Sequence, residues 1–130
     1  MATIFTKIMD GEIPCYKIAE DEKFFAFLDI SPLAKGHTLV VPKVEVDYIF
    51  ELEDDLLSDM MVFSKQVSKA IKRVISCNRI GVAVIGLEVP HAHIHLVPIS
   101  GMGDLNFSNP KLKLSSDEFK RIAEEIQSSF

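Results

Sequence analysis

The stretch His91-Ala92-His93-Ile94-His95-Leu96-Val97-Pro98 holds three of the chain's four histidines. Histidine alternates there with Ala, Ile and Leu, and side chains alternate faces along a β-strand. The pattern predicts a strand over 92–98. His91, His93 and His95 line one face, and Ala92, Ile94 and Leu96 fill the core behind them. Three imidazoles on one ladder form a reactive or ligand-binding surface. Near neutral pH an imidazole can serve as nucleophile, proton carrier or metal ligand.

Working outward, a short helical turn is expected over 4–9, before the turn signal Asp10-Gly11. Strand-like runs at 16–19 and 24–30, joined by the charged segment Glu20-Asp21-Glu22-Lys23, read as a hairpin. A loop over 31–36 leads to a third strand, 37–42, ended by Pro42. The spacing of Met60, Phe63, Val67, Ile71 and Val74 predicts a long helix over 54–76. Asp54 and Asp55 at its start, and Lys69, Lys72 and Arg73 near its end, suit the helix dipole. Residues 79–85 read as a fourth strand, ahead of the histidine strand. Residues 101–113 are irregular. A last helix begins at Ser115, where Ser115 and Glu118 fit a capping box. Phe119, Ile122, Ala123 and Ile126 form its apolar stripe. The order implies an α+β fold: a five-stranded antiparallel sheet with one long packed helix and short terminal helices.

The chain has 130 residues, which fits a single domain, 1–130. Apolar residues make up 48% and charged residues 25%, the balance of a globular protein. The net charge of −5, with no basic cluster, argues against nucleic acid as a partner. No apolar run reaches membrane-span length, and the first residues lack the pattern of a secretory signal. Cys15 and Cys77 form no CxxC or Cys/His pattern. Reduced, packed thiols of a cytosolic protein are the expectation, although the sequence leaves a disulfide open.

The histidine run supports three readings. Imidazoles at i, i+2 and i+4 can ligate zinc, with Glu88 and His37 able to complete the site. A purely structural strand would have to satisfy three adjacent polar rings. A neutral imidazole can also attack phosphorus, forming a phosphohistidine and splitting one hard displacement into two easier ones. Its neighbours can then hydrogen-bond the phosphoryl oxygens and assist the departing group.

The run resembles the alternating signature of the histidine triad (HIT) family of nucleotide hydrolases and transferases. Ile4-Phe5-x-Lys7-Ile8, Gly11-Glu12-Ile13-Pro14, Ala26-Phe27-Leu28-Asp29-Ile30-Ser31-Pro32 and Gly36-His37-Thr38-Leu39-Val40-Val41-Pro42-Lys43 are similar, in order, to segments of its Hint-like branch. The resemblance spans about residues 3–98. It leaves 99–130 as a C-terminal loop and helix on the leaving-group side or the dimer edge.

The resemblance implies that His93 attacks the α-phosphorus of a purine nucleotide, giving a nucleotidyl-histidine that water releases as a nucleoside monophosphate. His95 would contact the phosphate and help the leaving group depart. His91 would hold the network that orients His93, and His37 would lie beside the nucleophile. Asp29 would accept hydrogen bonds from the ribose hydroxyls, as two carboxylate oxygens suit a cis-diol. From spacing alone, Asp29 also reads as a turn residue. Ile4, Phe5, Ile8, Phe27, Ile30 and Leu39 match the purine slot, although any one of them taken singly reads first as core. A homodimer with a continuous ten-stranded sheet, no cofactor and a cytoplasmic setting are further implications.

The chain departs from relatives before the triad. Leu87 stands where Gln is usual, the Gly-rich loop is short, and no Asn ends the fourth strand. Backbone N–H groups near Glu88 and Val89 are expected to face the phosphate. The Glu88 carboxylate would favour a basic leaving group such as an amine. Thr3 and Thr6 stand where some bacterial relatives carry zinc-binding cysteines, so no structural metal is expected. The expected activity is metal-independent hydrolysis of purine nucleoside phosphoramidates. The alternatives are a dinucleoside polyphosphate hydrolase and a nucleotide-binding regulatory protein with vestigial activity.

Overall fold

The computed structural model describes residues 2–130. The chain runs α1 (Ile4–Met9), β1 (Lys17–Glu20), β2 (Phe24–Leu28), β3 (Thr38–Pro42), a 3₁₀ turn (Ile49–Glu51), α2 (Asp54–Val74), β4 (Arg79–Ala83), β5 (Ile94–Ile99) and α3 (Ser116–Gln127). The strands form one sheet in the order β1-β2-β3-β5-β4, with every neighbouring pair antiparallel. The α+β architecture read from the sequence is the one observed.

Alternation along the strands sorts the apolar residues onto two faces. Phe24, Ala26, Leu28, Val40, Ile94 and Leu96 face α2 and α3, where they meet Met60, Phe63, Val67, Ile71, Phe119, Ile122 and Ile126. Phe25, Phe27, Leu39 and Val41 face the other way and pack with Phe5 of α1. Burying each of the larger of these side chains contributes roughly 1.5–3 kcal/mol. Both faces of the central strands are therefore covered, and all five residues of β2 are buried. The histidines share the face that carries α1.

The histidine strand is shorter than its alternation predicts. Its ladder begins at Ile94, opposite Val40, so His91 and His93 precede it and only His95 lies within it. Pro42 has no N–H to donate to β5, so pairing with β5 cannot extend past Val41. The Ala92 N–H turns instead to the Val46 carbonyl at 2.7 Å. Face alternation survives the lost ladder, and Ala92 still enters the helix-side core. At α3, Ser115 Oγ accepts the Glu118 N–H at 3.1 Å. The reciprocal half of the expected capping box is replaced by an ion pair between Glu118 and Lys35 at 3.5 Å.

Gly36 sets the entry to β3. Its φ is +91°, a region L side chains rarely adopt, and a Cβ there would lie 2.9 Å from Ile75 Cγ1. The next residue is His37, so this turn fixes where that ring enters the site. Gly36→Ala is expected to destabilise the fold by about 1–3 kcal/mol from backbone strain alone. Urea unfolding checks this, and an unchanged midpoint would contradict the strain.

Candidate active site

Four histidines from two separate segments meet on the α1 face, and all are nearly sealed from solvent. Their ring protons follow from which partners can only accept or only donate. A carbonyl oxygen only accepts. His91 Nε2 lies 2.7 Å from the Pro42 carbonyl and therefore carries the proton, leaving Nδ1 to accept from the Thr3 hydroxyl at 2.7 Å. His93 Nδ1 lies 2.8 Å from the His91 carbonyl, so it too is protonated, and Nε2 keeps its lone pair.

An amide N–H only donates. Leu33 N–H points at His37 Nδ1 at 3.0 Å, so the His37 proton sits on Nε2. That proton is donated to His95 Nδ1 at 3.0 Å, leaving the His95 proton on Nε2. Six of the eight ring nitrogens thus have protein partners. The two without are His93 Nε2 and His95 Nε2. Among the described residues no sealed side-chain nitrogen or oxygen lacks a partner, so both of these atoms reach the surface. One is an acceptor and the other a donor, on rings whose centroids are 4.9 Å apart.

Burial, with His95 and Lys111 adding to it, holds His37 down at about 3. Burial, reinforced by His93, holds His95 down at about 4. Burial lowers His91 too, against the opposing effects of the Pro42 carbonyl and Glu45. Asp29 is half-buried, and burial raises its carboxyl above the ordinary carboxylate range while the Ser31 N–H opposes the rise. Asp29 Oδ1 accepts that N–H at 2.8 Å, while Oδ2 stands 3.6 Å from His37 Nε2. Asp29 is therefore a turn residue whose second oxygen lies near His37.

Asp29, His37 and His95 hold candidate ligand atoms within 4.8 Å of one another. The Leu33 amide donates to His37 Nδ1, and His37 Nε2 donates to His95 Nδ1, so these groups form a hydrogen-bond chain.

The apolar residues assigned to the purine slot divide. Phe5, Phe27 and Leu39 are buried together, with Ile8 and Val89 packed against them. The Phe5 ring stands edge-on to His93 at 5.0 Å and to His91 at 5.6 Å. Ile4 and Ile30 are exposed and outside that cluster, Ile30 at 70%. Glu88 is exposed, and its charge is felt at Asp29. The His37 ring contacts His95, because the Gly36 turn and the Leu33 amide aim Nε2 at His95.

The irregular tail supplies a part that motif reasoning missed. The Phe107 ring lies edge-on to His95 at 4.7 Å and to His37 at 6.2 Å. Leu105 reaches across Gly81 of β4, where a Cβ would come within 3.1 Å of it. Leu112 N–H bonds the Pro32 carbonyl at 2.9 Å and ties the tail to the loop beside Asp29. The one sequence signal was that Phe107 is the sole aromatic in a segment without period.

Comparison with known proteins places the chain. The HIT domain family matches residues 10–102. The adenosine 5′-monophosphoramidase of Schizosaccharomyces pombe is 38% identical over 133 residues, covering 98% of both chains. An uncharacterized HIT-like protein of Borreliella burgdorferi is 35% identical over 131 residues, covering 95% of this chain and 94% of the other. Among solved structures, a Hit-like protein of Bartonella henselae superposes with a TM-score of 0.83 at 26% identity, covering 98% of this chain and 96% of the other. The chain belongs to the HIT family.

The depressed histidines make stability depend on pH. Their ordinary pKa is about 6.5 in the unfolded chain. Between that value and about 4 for His95 and about 3 for His37, the unfolded state binds protons that the folded state refuses. Their contribution to stability is therefore present above pH 6.5 and lost as pH falls toward 4. Unfolding free energies measured across this window should fall with pH, and the slope should flatten in His95→Gln. An equal slope in both proteins would contradict the burial argument.

Proposed function

We propose that this HIT-family chain is a nucleotide hydrolase that cleaves purine nucleoside phosphoramidates at the α-phosphorus without a metal. The observation that carries the reading is the pair of unpartnered ring nitrogens, a lone pair on His93 Nε2 beside a hydrogen on His95 Nε2. The name of the Schizosaccharomyces pombe relative, a nucleotide phosphoramidase similar over nearly its whole length, supports the substrate class.

In this mechanism His93 Nε2 attacks phosphorus and forms the P–N bond of a nucleotidyl-histidine. The bond to the leaving amine breaks with its electron pair on nitrogen, and the amine takes its proton from solvent. His95 Nε2–H donates to the phosphoryl oxygens as charge gathers on them. Its low pKa keeps it a neutral donor, with its other nitrogen occupied by His37. Water then attacks the same phosphorus, releases the nucleoside monophosphate and restores the lone pair. Asp29 Oδ2 holds the ribose hydroxyls. The Phe5, Phe27 and Leu39 cluster, with Ile8 beside it and Ile4 and Ile30 at its exposed margin, receives the base. Val89 and Glu88 border the phosphate side, where the Glu88 carboxylate favours an amine leaving group.

We also infer a cytoplasmic homodimer. β4 is an edge strand, and Val82, Val84, Ile85 and Leu87 are exposed along and just beyond it, Leu87 at 88%. Met61 and Val62 add exposed apolar surface on α2. A second copy pairing at this edge would cover the row of unpaired backbone groups. Cys15 and Cys77 are free thiols, in keeping with a reducing compartment.

Hydrolysis of adenosine 5′-phosphoramidate in excess chelator tests the chemistry. Wild type is expected to turn over, and His93→Ala to lose at least about 1,000-fold. Turnover that chelator abolishes, or that survives His93→Ala, would overturn the mechanism. Sedimentation equilibrium tests the assembly: Val82→Lys should shift a dimer to monomer, and a monomeric wild type would refute it.

A further inference from the structure

A network of three residues outside the triad reaches His91 through Thr3, and the mechanism above does not use it. Thr3 precedes α1, Thr6 lies in its first turn, and Glu45 lies after β3. Glu45 Oε1 accepts the Thr3 N–H at 3.0 Å and the Thr6 hydroxyl at 2.5 Å. Those bonds hold the Glu45 carboxyl below its ordinary range, so it stays an acceptor.

The hydroxyl protons can then be placed. The Thr6 proton is committed to Glu45. Thr3 Oγ1 accepts the Thr6 N–H at 3.1 Å, so its own proton is free to be given away. Two acceptors are near it: Thr6 Oγ1 at 3.3 Å and His91 Nδ1 at 2.7 Å. The closer one is a bare lone pair, because the His91 proton is held by the Pro42 carbonyl at 2.7 Å. The His91 ring is thus gripped at both nitrogens. Its own main-chain carbonyl is the group that takes the His93 Nδ1 proton at 2.8 Å.

We propose that Thr3, Thr6 and Glu45 are positioning residues for the nucleophile. They form a hydrogen-bonded clamp that locks the His91 ring, steadies its carbonyl and so keeps the His93 lone pair on Nε2. The bonds meet from two sides: Thr3 and Thr6 donate to the Glu45 carboxylate, the Thr3 hydroxyl donates to His91 Nδ1, and His93 Nδ1 donates to the His91 carbonyl. The clamp also fastens the start of α1, whose Phe5 ring leans on His93 at 5.0 Å, so base slot and nucleophile share one anchor. The catalytic consequence rests on the reading of His93 as nucleophile, whereas the structural claim does not.

The test uses full-length protein with ¹⁵N-labelled histidine, in which ring nitrogen shifts report the tautomers directly. Wild type should show His91 protonated on Nε2 and His93 on Nδ1. Thr3→Val removes the donor while keeping the shape, and should broaden or shift the His91 signals and give His93 a second, Nε2-protonated population. The rate of phosphoramidate cleavage should fall on the order of ten-fold in kcat with little change in KM, the mark of lost alignment. Thr3→Ser, which retains the hydroxyl, should restore both readouts. Glu45→Leu should move them in the same direction by less.

Thr3 also caps α1, and a role confined to capping would lower the melting temperature of Thr3→Val without altering the histidine spectrum. That result would overturn the proposal. Should wild type prove inactive on phosphoramidates, the functional reading fails, and the tautomer shift in Thr3→Val still decides the clamp.

Discussion

A carbonyl oxygen can accept a hydrogen bond and never give one, and the protonation of this site hangs on that asymmetry. Two main-chain carbonyls, of Pro42 and His91, take ring protons from His91 and His93. One main-chain amide, of Leu33, offers a proton to His37 and sets the opposite sense along the His37–His95 pair. Each ring could hold its proton on either nitrogen at little intrinsic cost. The backbone removes that choice, and backbone positions are held by the sheet and its two cores. A lone pair beside a donor hydrogen follows as a property of the fold.

Much of this could be read from the chain because strand alternation carries information twice. The same two-residue period that puts Ile94 and Leu96 against α2 puts His93 and His95 on the far face. The α+β order, the long helix and the buried members of the aromatic cluster were legible for this reason. The extent of β5 was not, since ladder pairing depends on what the partner strand can donate. The period of 91–98 says nothing about Pro42. The contact of His37 with His95 was likewise hidden, because it depends on a glycine turn and an amide that lie three residues apart in a loop.

The tail shows a different limit. Residues 101–113 have no period and no motif, and irregular backbone takes its course from side-chain hydrogen bonds such as those of Asp104 Oδ2 to Ser100 N–H and Gly101 N–H, both at 2.8 Å. Nothing in the spacing announces that Phe107 will reach His95. Thr3 and Glu45 were opaque for a related reason, since a main-chain amide and a carboxylate separated by 42 residues leave no trace in a local pattern. The helix after the tail was legible, because its apolar stripe faces the core and obeys the helical period.

The tail's course has a mechanical meaning. Its first half lies on the histidine face, with Phe107 against His95, and its second half, α3, is part of the core on the opposite face. The Leu112–Pro32 hydrogen bond fixes the crossing between them. The segment therefore works as a strap around the sheet. Fraying of α3 from the core would slacken the cover over His37 and His95, and a molecule seated beneath Phe107 would tighten the seat of α3. Thermal resilience of the last helix and occupancy of the histidine face are, by this linkage, two readings of the same equilibrium.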